Sequence, residues 1–159
     1  MTPDLSGMQV ALEGDTDVIV RRSFSHPPAK VWRALTEPDL IRQWMATSGY
    51  PMTRCEIDPR AGGSFHYAWA GPEGQSFFFS GPVLKADPPH HMTHVEHFNG
   101  DTAMAATITT DLVAEGTGTR MTMVMRYADA AARQMAVETG MTDGMAEVYA
   151  RLEALPLSG

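Results

Sequence analysis

The sequence predicts an α+β domain in which a curved antiparallel sheet of about seven strands is closed by one long C-terminal helix. Three observations carry this. Met141, Met145, Val148 and Leu152 recur at steps of four, three and four, the spacing that gathers side chains on one helix face. From Met52 to Tyr127 the chain reads as short strands punctuated by glycine and proline. Between the first strand and that region lie two short helical segments separated by Pro38. A sheet with one apolar face and a helix with one apolar stripe must bury both, and a lid over a curved sheet does so most simply.

The elements follow in order. Residues 1–16 are polar and aperiodic and read as a loosely held arm, ahead of a single domain over residues 17–156. Asp17 to Phe24 is β-branched at its start and forms the first strand. Pro28 suits the first turn of a helix carrying Val31, Ala34 and Leu35 on one face. The second helix, PDLIRQWM, has Leu40, Ile41 and Trp44 as its apolar side. Pro51 to Ile57 is a strand, and Gly62-Gly63 bends the chain into the next. There Phe65, Tyr67 and Trp69 alternate with Ser64, His66 and Ala68, which puts three aromatics on one face. GPEG at 71–74 turns the chain into Gln75 to Lys85, with Phe77 and Phe79 on one face. His90 to Phe98, Ala103 to Val113 and Thr119 to Tyr127 are the remaining strands, the last with Met121, Met123, Met125 and Tyr127 on one face. A terminal helix runs from about Asp129 to Leu155, its start loosened by Gly140 and Gly144. Short hairpin turns favour a meander, and the whole is a helix-grip arrangement.

Composition narrows the function. A net charge of -7 argues against a nucleic-acid partner, whose binders present a basic stripe. No stretch approaches the roughly 20 apolar residues of a membrane span, and the N-terminus lacks the basic and apolar regions of a signal peptide. Cys55 is the single cysteine, which excludes an internal disulfide and a cysteine-based zinc cluster. A reducing, cytoplasmic location follows as the expectation. Twelve methionines suit either an adaptable core or the wall of a pocket for an apolar guest. Arg21, Arg22 and Arg60 read as solvated charges, and an edge strand leaves a homodimer open.

Four stretches resemble a known family: VIVRRSFSHPPAKVWRALTEPDLIRQW at 18–44, CEIDPRAGGSF at 55–65, GPVLKADPPHHM at 81–92 and GMTDGMAEVYARL at 140–152. Their combination and order are similar to the START-like (SRPBCC, birch-pollen-allergen-like) superfamily, in the branch of the C-terminal domain of the heat-shock-protein-90 ATPase activator. The resemblance implies a helix-grip fold with a hydrophobic cavity between sheet and long helix. It implies a lipid-like or other apolar ligand, or, in enzymes of the superfamily, cyclase or aromatase chemistry. A chaperone partner like the activator's is a further implication. Met45 and Met145 stand where members often carry aromatic residues, which implies a more pliable cavity.

The candidate chemistry lies in HHMTHVEHF. Alternation puts Met92, His94, Glu96 and Phe98 on one face and His91, Thr93, Val95 and His97 on the other. If Met92 and Phe98 face inward, His94 and Glu96 enter the cavity within about 7 Å of each other. Such a pair can share a proton as a general acid/base, or orient a ligand by hydrogen bonds. The alternation splits the histidines between two faces, so no metal site is expected, and no motif calls for a cofactor. The expected ligand-binding residues are Trp44, Phe65, Tyr67, Trp69, Phe77, Phe79, His94, Glu96, Phe98, Met123, Met125, Met141, Met145 and Tyr149. The reading that follows is a binding protein for an apolar small molecule. A cofactor-free enzyme of cyclase or hydratase type using His94 and Glu96, and a protein-interaction module, are the alternatives.

Overall fold

Proline and glycine positions divide the chain into its elements, and the computed structural model describes residues 8–46 and 49–157. Among these, Gln9–Glu13 (β1) and Asp17–Phe24 (β2) form a hairpin, followed by Pro28–Thr36 (α1) and Pro38–Met45 (α2). Met52–Ile57 (β3), Ser64–Ala70 (β4), Ser76–Asp87 (β5), His91–Phe98 (β6), Asp101–Glu115 (β7) and Gly118–Tyr127 (β8) come next. Ala130–Glu138 (α3) and Met141–Ala154 (α4) complete the chain.

The strands form one antiparallel sheet in the order β1-β2-β8-β7-β6-β5-β4-β3. β3 to β8 are a meander, and β2 pairs with β8, so α1 and α2 carry the chain from one side of the sheet to the other. Register shifts interrupt the β3–β4, β5–β6 and β6–β7 pairs, and bulges of this kind bend strands and let a sheet curve. At the entry to β4, Gly62 adopts φ +87°, and a Cβ on Gly63 would collide with the Asp58 carbonyl. No described helix is long and apolar enough to cross a membrane.

Three expectations are corrected. The sheet has eight strands rather than about seven, because Gln9–Glu13, read as part of an arm, pairs with β2 through Val10↔Val20 and Leu12↔Val18. All five β1 residues are exposed, Val10 and Leu12 included, so backbone pairing rather than a buried apolar face holds this strand. Residues 1–7 of the expected arm lie outside the described residues. The closing helix is two helices. Asp129 caps α3 by accepting the Ala132 N–H at 2.8 Å, and Gly140, at φ +80°, ends it and starts α4. Arg22 is buried, with its guanidinium 5.0 Å above the centre of the Phe24 ring.

The apolar residues gather in three clusters rather than one filled core. Phe24, Val31, Trp44, Leu112, Met121, Tyr149 and Leu152 join α1, α2 and α4 to β2, β7 and β8. Val18, Val20, Ile108, Met125, Ala132 and Ala136 pack α3 on the sheet. Ile41, Met52, Cys55, Phe65, Tyr67 and Trp69 hold α2 to β3 and β4.

β2 and β8 are further joined by Arg126, whose Nε and a terminal nitrogen each donate to the buried Asp17 carboxylate at 2.9 Å. These bonds, with the Thr16 hydroxyl, hold the Asp17 carboxyl below its ordinary range. A depressed carboxyl pKa contributes stability that is complete above the unfolded value and is lost as pH falls through the folded one. Asp17→Asn is therefore expected to lower stability at pH 7, with the gap to the parent closing below about pH 4 in urea titrations. A gap unchanged down to the acid limit would contradict this assignment.

Candidate functional site

The site is framed by the end of α2. The last carbonyls of a helix lack intrahelical partners. Here Met45 O accepts the Trp69 indole N–H from β4 at 3.0 Å, and Ala46 O accepts a guanidinium N–H from Arg151 of α4. One residue before Met45, the Trp44 indole donates to Ala34 O of α1 at 2.8 Å. Its ring stacks on Tyr149 of α4, with centroids 5.5 Å apart, and Tyr149 meets Phe24 of β2 edge-on at 6.0 Å. Sheet, short helices and closing helix thus converge on one helix terminus.

Between the three clusters lies a cavity of about 560 Å³. Its walls come from the inner faces of β3 to β8 and from α1, α2, α3 and α4. All fourteen residues expected as ligand-binding line it, from Trp44 and the aromatics of β4 and β5 to Met141, Met145 and Tyr149 of α4. Trp69 stacks on Phe77 with centroids 5.0 Å apart, and Phe79 meets Phe98 at 5.2 Å, so the aromatic wall is continuous across β4, β5 and β6. Phe98, Thr139 and Gly144 line the cavity and are also exposed, which places its openings at the β6–β7 turn and the α3–α4 junction.

The polar atoms in the cavity are few. Alternation along β6 sends Met92, His94, Glu96 and Phe98 inward. His94 Nε2 lies 3.8 Å from Glu96 Oε2, close enough for electrostatic attraction but beyond a hydrogen bond. His94 Nδ1 is buried with no hydrogen-bond partner among the described residues. A buried lone pair costs less than a buried N–H without an acceptor, so the favoured neutral tautomer carries its proton on Nε2, toward Glu96. The His94 ring also meets Phe65 edge-on at 5.0 Å. Tyr67, Tyr127 and Tyr149 bring three hydroxyls to the walls. Burial, reinforced by the Glu96 charge, pushes the Tyr127 phenol up to about 12 and those of Tyr67 and Tyr149 higher still. The Tyr127 hydroxyl donates to Met141 Sδ at 3.5 Å and that of Tyr149 to Met123 Sδ at 4.0 Å.

The other histidines of the cluster face outward. His91 Nδ1 lies 2.7 Å from Asp111 Oδ1 and Nε2 lies 3.0 Å from Thr93 Oγ1, on the opposite side of the sheet. Among the described residues no three His, Cys, Asp or Glu side chains converge as a metal site would need. Cys55 is buried beneath α2, and burial raises its thiol pKa, the opposite of what a nucleophile needs. Sequence reasoning missed Tyr127, Thr110, Thr139 and Met104 as lining residues. Tyr127 was within reach, since it continues the period-two row of Met121, Met123 and Met125. Thr139 depends on the helix break, which periodicity alone does not reveal.

The pattern of the family described as activator of Hsp90 ATPase homolog 1-like protein matches residues 25–156. The chain belongs to this family. The activator-homolog-like family is START-like, and its fold is what the helix-grip expectation required. A crystal structure of a protein from Rhodobacter sphaeroides is similar at 33% identity and a TM-score of 0.88, over 93% of this chain and 96% of that one. One from Nitrosomonas europaea is similar at 26% identity and 0.79, over 89% and 94%. A Mycobacterium smegmatis structure, at 23% identity and 0.84 over 95% and 97%, shares the fold. A search of curated proteins found no significant match.

Trp69→Phe tests the frame of the site. It keeps the aromatic stack on Phe77 and removes the donor to Met45 O. The expected loss is about 1–3 kcal/mol of stability in urea unfolding. A loss below a few tenths of a kcal/mol would remove the indole bond from the frame.

Proposed function

We propose that this activator-homolog-like protein binds an apolar small molecule in the cavity beneath α3 and α4. The observation that carries the reading is the space itself. About 560 Å³ is left open inside a fold of this length, within the roughly 300–1,000 Å³ range of small-molecule sites. Close packing normally eliminates such a space, because an unfilled void forfeits dispersion contacts. The lining is aromatic and methionine-rich, with a few polar groups among them. Aromatic rings give a ligand fixed walls, and methionines adapt to its outline. Membership of a START-like family supports the same reading. The open interior argues against the interaction-module alternative, which calls for a filled core.

A second reading rests on the 3.8 Å approach of His94 to Glu96 within the cavity. An imidazole and a carboxylate facing one cavity are the equipment of acid/base catalysis, and a bound guest could draw them into hydrogen-bond range. On this reading Glu96→Gln abolishes turnover of an accepted substrate while its affinity changes little.

Titration with the neutral apolar fluorophore N-phenyl-1-naphthylamine tests the binding reading. The parent is expected to bind saturably with one molecule per chain. A Cβ at Gly144 meets open space, so Gly144→Phe starts a side chain at the α3–α4 opening with no contact at its first carbon. That variant is expected to bind at least roughly tenfold more weakly, while its helix gains from losing glycine. No saturable binding by the parent, or equal binding by both chains, would contradict the proposal.

A further inference from the structure

We propose that the cavity selects amphipathic molecules with a cationic head, such as a primary ammonium group on an apolar body, and discriminates against carboxylate-headed lipids. This inference rests on the binding reading and adds the chemical class of the ligand. It starts from a charge imbalance. Among the described residues lining the cavity, Glu96 is the one Asp, Glu, Lys or Arg. No lysine or arginine among the described lining residues faces it, and its cross-strand neighbour on β7 is Ala106, whose side chain carries no donor.

Among the described residues, protein groups spend little of the acceptor capacity of Glu96, whose side chain is 32% exposed. It makes no hydrogen bond within the described residues, and His94 Nε2 stops at 3.8 Å. The Tyr127 and Tyr149 hydroxyls turn their protons to Met141 and Met123 sulfur, which leaves their oxygens as acceptors. Apart from His94, the described lining brings no group that can carry positive charge to Glu96. A carboxylate in apolar surroundings is stabilised by a cation brought into contact with it. A second carboxylate there meets like charge with no arginine or lysine to receive it.

Aromatic rings extend the same preference. Tyr67, Tyr127, Tyr149 and Phe98 all line the cavity with Glu96, and ring faces attract an ammonium through their quadrupole. The body of the ligand then lies along the methionine and aromatic walls, where shape is loosely specified. Charge at the head sets the selectivity, and the tail sets the affinity.

Three probes of one chain length separate these contributions: decylamine, 1-decanol and decanoate, each competing with N-phenyl-1-naphthylamine at pH 7 below its aggregation concentration. Decylamine is cationic under these conditions, since alkylammonium groups titrate near pH 10. It is expected to bind at least roughly tenfold tighter than 1-decanol, with decanoate weakest. Glu96→Gln, checked for folding by its thermal melt, is expected to bring the amine to within about twofold of the alcohol. Glu96→Asp, which keeps the charge, is expected to retain the amine preference. An amine no tighter than the alcohol, or a preference that survives Glu96→Gln, overturns the inference while 1-decanol displacement leaves the cavity reading standing. Failure of all three probes, and of the fluorophore itself, overturns both.

Discussion

The architecture depends on how the C-terminus of α2 is satisfied. Any helix end presents carbonyls that must find donors, and burial sharpens the requirement. Met45 and Ala46 receive theirs from the sheet through Trp69 and from the closing helix through Arg151. Trp44, bonded to α1 and stacked on Tyr149, fixes the same terminus from its apolar side. These directional bonds hold α2 against both the sheet and α4 at one end, while the glycine break at residue 140 leaves the other end of the lid as two shorter pieces. The hydrophobic effect alone is non-directional and would favour collapse of the space between them. A clasp at one end and a hinge-like junction at the other make an interior opening compatible with a stable fold.

The contents of that opening follow from strand alternation. A period of two through β4, β5, β6 and β8 delivers aromatic and methionine side chains to one face of a curved sheet. The same period brings one imidazole and one carboxylate inward from β6 and sends His91 to the outer surface, where Asp111 receives it. The inner pair is therefore isolated in an apolar room with three phenols, and the Glu96 charge is felt by all of them. His94, at 3.8 Å, is the one described lining group able to carry a charge opposite to that of Glu96.

Much of this was legible in the sequence, because both periodicities are local. Phe65-Tyr67-Trp69, Met92-His94-Glu96-Phe98 and Met141-Met145-Val148 declare their inward faces from spacing alone, and the structure brings these rows together around one space. What escaped has physical causes. β1 is exposed on every residue, so its order comes from backbone pairing, and the alternating Val10 and Leu12 mark no buried face. The break between α3 and α4 turns on the left-handed conformation of Gly140, where a mid-helix glycine and a junction look alike in sequence. Arg22 reads as a surface charge until Phe24 beside it supplies a face to lie on. The clasp joins residues 24 and 105 positions apart, beyond the reach of any local signal.

The account's central claim is that the space between sheet and lid admits a guest, and its methionines report on that directly. With 13C-labelled methionine methyl groups, addition of a neutral apolar ligand is predicted to shift the signals of Met123, Met125, Met141 and Met145, which line the cavity. Met135 on α3, 57% exposed and outside the lining, is predicted to stay unchanged. Shifts confined to Met135, or an unaltered spectrum at saturating ligand, would contradict the claim.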